Sequence, residues 1–394
     1  MIRKILGLAL SVSLTPSINA VEVTGSAGVD LRYYLQDALY PQQERTYSSL
    51  FVSPELYSEF NEGQDTLIFK PFYRVDEHDS ERTHGDIREL QWAHYQDDWE
   101  TKVGIGKVFW GQTESLHLVD IINQTDAVES VDGEAKLGQP MVSFSYFSNY
   151  GNFSAFVLPY FRERTFQSSE GRIRPPLAIS DAIYESSNEE SNVDYALRWQ
   201  SSIGDWEVGL SYFTGTTREP ELVTTQSSDG TVSINPFYAQ IDQVGLDLLK
   251  VSGAWLLKLE SIYRKGQSED FAAVVAGFEY TQEGVLGSRY GLGYLAEYQY
   301  DQRDDNFFAI GQNDLMLGLR IIANDIAGSE ILLGFVKDLD DKSTYSAYLE
   351  ASSRLSANWR WKVDGYFFSS NDEEDPFFFL RRDDHVQFSL EYYF

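Results

Sequence analysis

From position 21 onward, polar and apolar residues alternate with a period of two. "VEVTGSAGVDLRYY" sets Val21, Val23, Ala27, Val29, Leu31 and Tyr33 on one side, with Glu22, Thr24, Ser26, Asp30 and Arg32 on the other. "TLIFKPFYRVD", "NVDYALRWQ", "SRYGLGYLAEYQYD" and the closing "HVQFSLEYYF" repeat the pattern. Successive strand side chains point to opposite faces, so this periodicity predicts strands and almost no helix. About 18 are expected, near 21–34, 48–60, 65–76, 86–96, 99–110, 141–149, 152–164, 192–201, 205–217, 236–250, 254–265, 270–281, 288–301, 314–323, 329–338, 343–354, 358–369 and 384–394.

The connections differ in kind. Tight, turn-rich links such as "NEGQD", "NYGN", "IGD" and "VSG" alternate with mostly longer, more acidic ones at about 35–47, 77–85, 111–140, 165–191, 218–235, 301–313 and 370–383. Short turns at one end and long loops at the other suit an all-β, single transmembrane antiparallel up-and-down barrel. Its turns would be periplasmic and its loops extracellular. Tryptophans 99, 206, 255 and 359 follow tight turns, and Trp92 and Trp199 precede them, as an interfacial aromatic girdle requires.

Some stretches resist this reading. Lys107 falls on the lipid-facing parity of its expected strand, and the apolar parity switches between Ile241 and Val244, suggesting a bulge. "NFSAFVLPYF" and "SEILLGFVKD" are apolar on both faces.

The N-terminus carries a secretory pattern: Arg3 and Lys4, an apolar run at 5–14, and small residues before a cut expected after Ala20. The division is therefore 1–20 signal peptide and 21–394 barrel. Beyond it, no apolar run reaches the length of a spanning helix. The net charge of -30 disfavours nucleic acid as a partner, and the absence of cysteine leaves no disulfides to stabilise an exported chain.

The signal segment, the alternating strands and the terminal "QFSLEYYF" together resemble a Gram-negative outer-membrane β-barrel of the porin class, over essentially the whole mature chain. That resemblance implies a location in the outer membrane, contact with its lipid and lipopolysaccharide, and recognition of Tyr392 and Phe394 by the barrel assembly machinery. Trimers and monomers both occur in the class, so the oligomeric state stays open. A second, local resemblance sits in "VGIGKVFWGQTESLHLVDIINQTD". It is similar to an uncharacterised porin-like family with Trp-Gly-Glu followed by Asp-Val-Ile-Asn-Pro-x-Asp. Trp110, Gly111, Asp120, Ile121, Ile122, Asn123 and Asp126 match, whereas Gln112 and Gln124 depart.

The inward parity carries both charge signs. Lys70, Arg74, Lys102, Arg198, Lys258, Arg264, Arg360 and Lys362 are expected to line the lumen with Asp30, Glu55, Glu59, Asp194, Glu260, Glu297 and Asp364. Such a set argues for a hydrated interior that orients polar solutes. The 111–140 segment mixes apolar residues with Glu114, His117, Asp120, Asn123 and Asp126. It is expected either to fold inward as a constriction or to cap the barrel outside. Carboxylates at 369–385 suggest a further, weaker possibility, divalent cations shared with lipopolysaccharide. The five histidines fit neither H-E-x-x-H nor a triad, and no G-x-S-x-G occurs, so no catalytic residue, cofactor or metal is expected. The favoured function is passive diffusion of a small polar solute. A conduit for an amphipathic molecule or exported polymer, gated by 111–140, is the alternative, and a closed structural barrel or a barrel hydrolase follows.

Overall fold

The computed structural model describes residues 21–226, 230, 232–303, 311–373 and 375–394; the expected signal segment lies outside them. The strands run β1 Glu22–Tyr34, β2 Thr46–Phe60, β3 Asp65–Asp76, β4 His84–Tyr95, β5 Trp99–Gly106, β6 Gln139–Ser148, β7 Gly151–Leu158, β8 Ile183–Tyr184, β9 Asp194–Ile203, β10 Trp206–Thr216 and β11 Glu221–Gln226. They continue with β12 Val232–Tyr238, β13 Gln240–Ser252, β14 Trp255–Lys265, β15 Phe271–Gln282, β16 Gly291–Asp301, β17 Asn313–Ile322, β18 Glu330–Asp338, β19 Tyr345–Arg354, β20 Trp359–Ser369 and β21 His385–Tyr393. All but β8, β11 and β12 form one 18-stranded antiparallel sheet in which each strand pairs with the next.

The sheet closes on itself. β21 pairs with β1 from Ser26↔Tyr393 to Tyr34↔His385. Beyond the last ladder pair, Gly25 and Phe394 exchange both backbone hydrogen bonds at 3.1 Å. Gly25 adopts φ 150°, and a Cβ there would lie 2.6 Å from Pro54 Cα and 3.0 Å from the Phe394 ring. Closure leaves no unpaired edge, which hydrocarbon would not tolerate.

The outside of the cylinder is apolar. Leu50, Val52, Tyr73, Leu197, Val244, Leu317 and Leu333 all project outward and are exposed. An uninterrupted apolar belt of this extent would be unstable against water, so its natural surroundings are lipid. Among the described residues no helix is long and apolar enough to cross a membrane, and crossing falls to the strands. Aromatic residues mark the short-turn end: His94 lies between Trp92 and Trp99, Trp255 meets Tyr280 at 4.7 Å, and Trp359 meets Tyr392 at 5.1 Å. Trp199 donates to the carbonyl of Tyr150 in the 149–150 turn.

Several expectations need correction. β5 stops at Gly106 rather than 110, and β7 at Leu158 rather than 164. In both, apolar parity continues into segments that have already left the wall. Lys107 is therefore in a loop root and not on the lipid face. No bulge interrupts 241–244: the β10–β13 ladder runs unbroken, with Ile241 and Gln243 buried inward and Asp242 and Val244 outward. The wall does carry a register shift elsewhere, at Lys70/Pro71 between β3 and β4. Residues 221–238, read as loop and strand start, form the β11–β12 hairpin, with β8 added in parallel to β12. The rings of Phe161, Tyr184 and Tyr238 pack around this small sheet.

Candidate functional site

The segment 107–138 folds into the barrel. Its root is fixed by Asn123, whose Oδ1 accepts from the Val108 N–H at 2.8 Å. The same side chain's Nδ2 donates to the carbonyls of Gly106 and Leu137, each at 2.9 Å. Asp120 Oδ1 accepts from the N–H groups of Trp110 (2.6 Å) and Gly111 (3.0 Å) and closes a compact turn. Gly111 is required there, since a Cβ would meet the His117 ring at 2.4 Å. Asp126 is fully buried, 2.6 Å from Arg88, and accepts from Thr165.

Apolar burial holds the folded segment against one wall. Trp110, Val119, Ile121 and Ile122 form one core with inward residues that include Phe156, Phe213, Ile241, Ile262 and Phe271. This core explains why "NFSAFVLPYF" is apolar on both faces: Phe153 and Val157 face outward, while Phe156 and Leu158 pack on the loop. Arg198 pairs bidentately with Asp247 at 2.8 and 2.9 Å, and its guanidinium lies 4.9 Å from the Trp110 ring. In β18 of "SEILLGFVKD", Leu332 packs inward with Leu295 and Met316.

Two wall carboxylates grip the main chain of the tip. Glu260 accepts from the N–H groups of Gln112 (2.5 Å), Thr113 (2.9 Å) and Val119 (3.2 Å), and from the Thr113 hydroxyl (2.7 Å). Glu297 accepts from the N–H groups of Glu114 (2.8 Å) and Ser115 (2.9 Å), and from the Ser115 hydroxyl (2.6 Å). Both had been expected to line open lumen, and both are instead consumed as loop anchors. His117 Nε2 lies 2.8 Å from Glu134 and its Nδ1 3.8 Å from Glu260. Burial opposes its charge, but hydrogen bonds and attraction from Glu134 and Glu260 prevail and push its pKa up to about 10. The returning strand of the loop crosses the lumen: Glu129 pairs with Arg74 at 2.9 Å, and Asp132 accepts from the Tyr366 hydroxyl at 2.7 Å.

Of the constriction residues expected from sequence, Glu114 and His117 reach the remaining cavity, whereas Asp120, Asn123 and Asp126 work inside the loop. Glu114 stands 2.8 Å from Arg320 and 3.7 Å from Lys258. Most expected lumen charges are paired: Arg74 with Asp30 (2.5 Å), Lys70 with Glu55 (3.1 Å), Lys102 with Glu100 (2.8 Å), Asp194 with Arg218 (2.9 Å), Arg264 with Glu219 (2.8 Å) and Lys362 with Glu391 (2.7 Å). Arg360 donates to Ser352, and Glu59, near the short-turn end, accepts from Tyr57.

What stays open is a cavity of about 420 Å³ between the loop tip and the wall from β16 to β20. Glu114, Asp132, Glu134, Asp314 and Glu350 line it, with Tyr348 and Tyr366. Asp364 follows on the same inward parity of β20. Asp314, Glu350 and Asp364 form no ion pair among the described residues. Glu350 and Asp314 were not among the expected lumen residues, although the inward parity of their strands is the signal that identifies them. The contact of Asp132 with Tyr366 carries no sequence signal, because a loop fold brings the two together.

At the long-loop end, Arg172 is wholly buried, pairs with Asp383 at 2.7 Å, donates to the Arg382 carbonyl at 2.6 Å, and stacks 4.4 Å from the Tyr34 ring. It ties the 159–193 and 370–384 loops together over the barrel. The acidic 369–385 stretch is spent similarly. Asp375 accepts from Phe377 at the start of helix α1 (Pro376–Leu380), and Asp384 accepts from Phe368 and Gln36. His385 is buried between Tyr34 and Tyr366, with its Nδ1 on the Asp383 carbonyl.

No family model and no curated protein matches the chain. Solved structures do. A BenF-like porin from Pseudomonas fluorescens Pf-5 is 9% identical, with a TM-score of 0.53 over 96% of this chain and 98% of that one. Pseudomonas aeruginosa OpdQ is 11% identical, with a TM-score of 0.50 over 95% of this chain and 97% of that one. At such identity the likeness concerns architecture, and it agrees with the closed 18-stranded sheet: the chain has the barrel fold of the outer-membrane porins.

Proposed function

We propose that the chain is an outer-membrane diffusion channel for small polar solutes, selective for cations, with its aperture set by the 107–138 loop. The observation that carries this reading is the cavity left beside the folded loop, whose walls include Asp314 and Glu350, neither held in an ion pair among the described residues. Carboxylates that no ion pair occupies, lining a narrow passage, attract cations and disfavour anions. The work is positioning and electrostatics rather than bond-making.

Reversal potentials of the purified protein in planar bilayers under a KCl gradient test it. The wild type is expected to conduct with cation preference, and Glu350→Gln with Asp364→Asn to lose most of that preference at similar conductance. Anion preference, or an unchanged ratio in the double variant, would sink charge selection. Absence of any conductance from an intact barrel would sink the channel itself. Neutralising Glu297 is a poor probe of selectivity, because its carboxylate anchors the loop. Engagement of Tyr392 and Phe394 by the assembly machinery belongs to the same proposal.

A further inference from the structure

The barrel wall is not equally tall all round. β5 and β7 have 8 residues each, whereas β1, β2 and β3 have 13, 15 and 12. At roughly 3.3 Å per residue and a tilt near 40°, eight residues rise about 20 Å, short of an apolar band about 25 Å tall. The β4–β5 ladder ends at Leu90↔Ile105, so β4 above Leu90 has no strand partner on that side. The root of the inward loop takes the strand's place. Gly138 packs so closely there that a Cβ would lie 2.4 Å from the Ile87 carbonyl oxygen and 2.6 Å from that of Arg88.

This substitution leaves a groove of about 480 Å³ in the outer wall, lined by Ile87, Ile105, Pro140, Tyr160 and the edge of Phe72. Ile87 and Tyr160 are exposed toward the outside. At its upper rim stands Arg162, which donates to the Gly138 carbonyl at 2.8 Å and lies 2.9 Å from Asp86. Asp86 is shared with Arg88 at 3.0 Å, and the Arg162 side chain keeps 27% of its surface accessible. Lys107 sits in the field of the same groups, with no ion-pair partner among the described residues.

We propose that this notch seats one acyl chain of a lipid A-type amphiphile of the outer leaflet, with its phosphate held by Arg162. An apolar furrow on the lipid-facing wall fits an alkyl chain, and a guanidinium that shares one carboxylate with Arg88 retains capacity for phosphate. The outer-membrane location proposed above is its premise.

Native mass spectrometry of the full barrel in detergent, titrated with bisphosphorylated hexa-acylated lipid A, tests the site. One molecule per barrel is expected. Arg162→Gln and Ile105→Trp, which fills the groove but keeps the charge, should each weaken binding about tenfold or more. On the wild type, dephosphorylated lipid A should bind as weakly as the bisphosphorylated form binds Arg162→Gln, a comparison that needs no substitution. Equal binding by all three proteins overturns the proposal. So does loss in Arg162→Gln alone, which would mean a surface phosphate contact without the groove, or tight binding of palmitate in place of lipid A. Bilayer conductance of Ile105→Trp, expected to match the wild type, separates failure of this site from failure of the channel reading.

Discussion

Replacing Glu260 by glutamine should release the constriction. Its carboxylate is fully buried and accepts four hydrogen bonds, three from main-chain N–H groups and one from the Thr113 hydroxyl. Glutamine keeps one oxygen, so the bonds to Gln112 and Thr113 persist with a neutral acceptor, each weaker by about 0.5–1 kcal/mol. Its amide NH₂ then faces the Val119 N–H, donor against donor, and that bond is lost at about 1–2 kcal/mol. The sum is on the order of 3 kcal/mol, which shifts docked against undocked loop by about two orders of magnitude. The apolar core around Trp110, Val119 and Ile122 still favours docking, so the expected phenotype is frequent transitions to a wider state and not permanent opening. Single-channel recording reads this directly as a new, larger conductance level with raised occupancy. Protease nicking within 107–138 should accelerate in parallel, while heat-modifiable migration of the barrel stays as in the wild type. Identical conductance histograms and nicking rates in the variant would refute the anchoring role of Glu260.

His117 gives a pH dependence of known sign. Its pKa of about 10 in the folded loop exceeds the ordinary imidazole value near 6.5, so its stabilisation is complete below that value and is lost as pH rises through about 10. Hydrogen exchange of the loop amides, corrected for intrinsic rate, should therefore accelerate between pH 7 and 10.5 in the wild type and change less in His117→Gln. Arg172→Ala strips the buried Asp383 of its partner, a loss of about 3–5 kcal/mol felt locally by the 159–193 and 370–384 loops. Proteinase K should cut the former faster with barrel melting little changed. Deleting Phe394 removes its two hydrogen bonds to Gly25 and the aromatic end of β21, and should lower the amount of folded, heat-modifiable protein in the outer membrane.

The barrel was legible because lipid and lumen impose a two-residue alternation that survives loops of any length. Where the alternation misled, the cause is specific. Phe161 keeps the apolar parity of β7, and Val108 and Trp110 prolong the apolar run past β5, after the chain has turned inward, since a loop core demands apolar side chains just as lipid does. Ile241 looked like a bulge because the alternation assumes a wet interior, and the wall there is dry beneath the loop. Within the site, Glu260 and Glu297 were identified as inward but not as anchors, and Asp314 and Glu350 were passed over. Glu260 and Glu297 bind amide protons, which every residue but proline possesses and which therefore leave no sequence mark. Asp120, Asn123 and Asp126 were recognised as a group, yet their role is to fold and seat the loop: Asp120 and Asn123 bind nearby main-chain groups, and Asp126 meets Arg88 of the β4 wall and Thr165.

The grip of Glu260 and Glu297 on the main chain also bears on how such a protein diversifies. At 112–115 the recognised groups are N–H donors common to nearly all amino acids, while only the Thr113 and Ser115 hydroxyls add side-chain contacts. Substitution at Glu114, whose side chain lines the cavity, can thus alter what the passage admits at the cost of its ion pair to Arg320, while the main-chain grip of Glu260 and Glu297 stays. Heredity can tune the filter while most of its mounting stays constant, and a protein engineer could work at this position on the same terms.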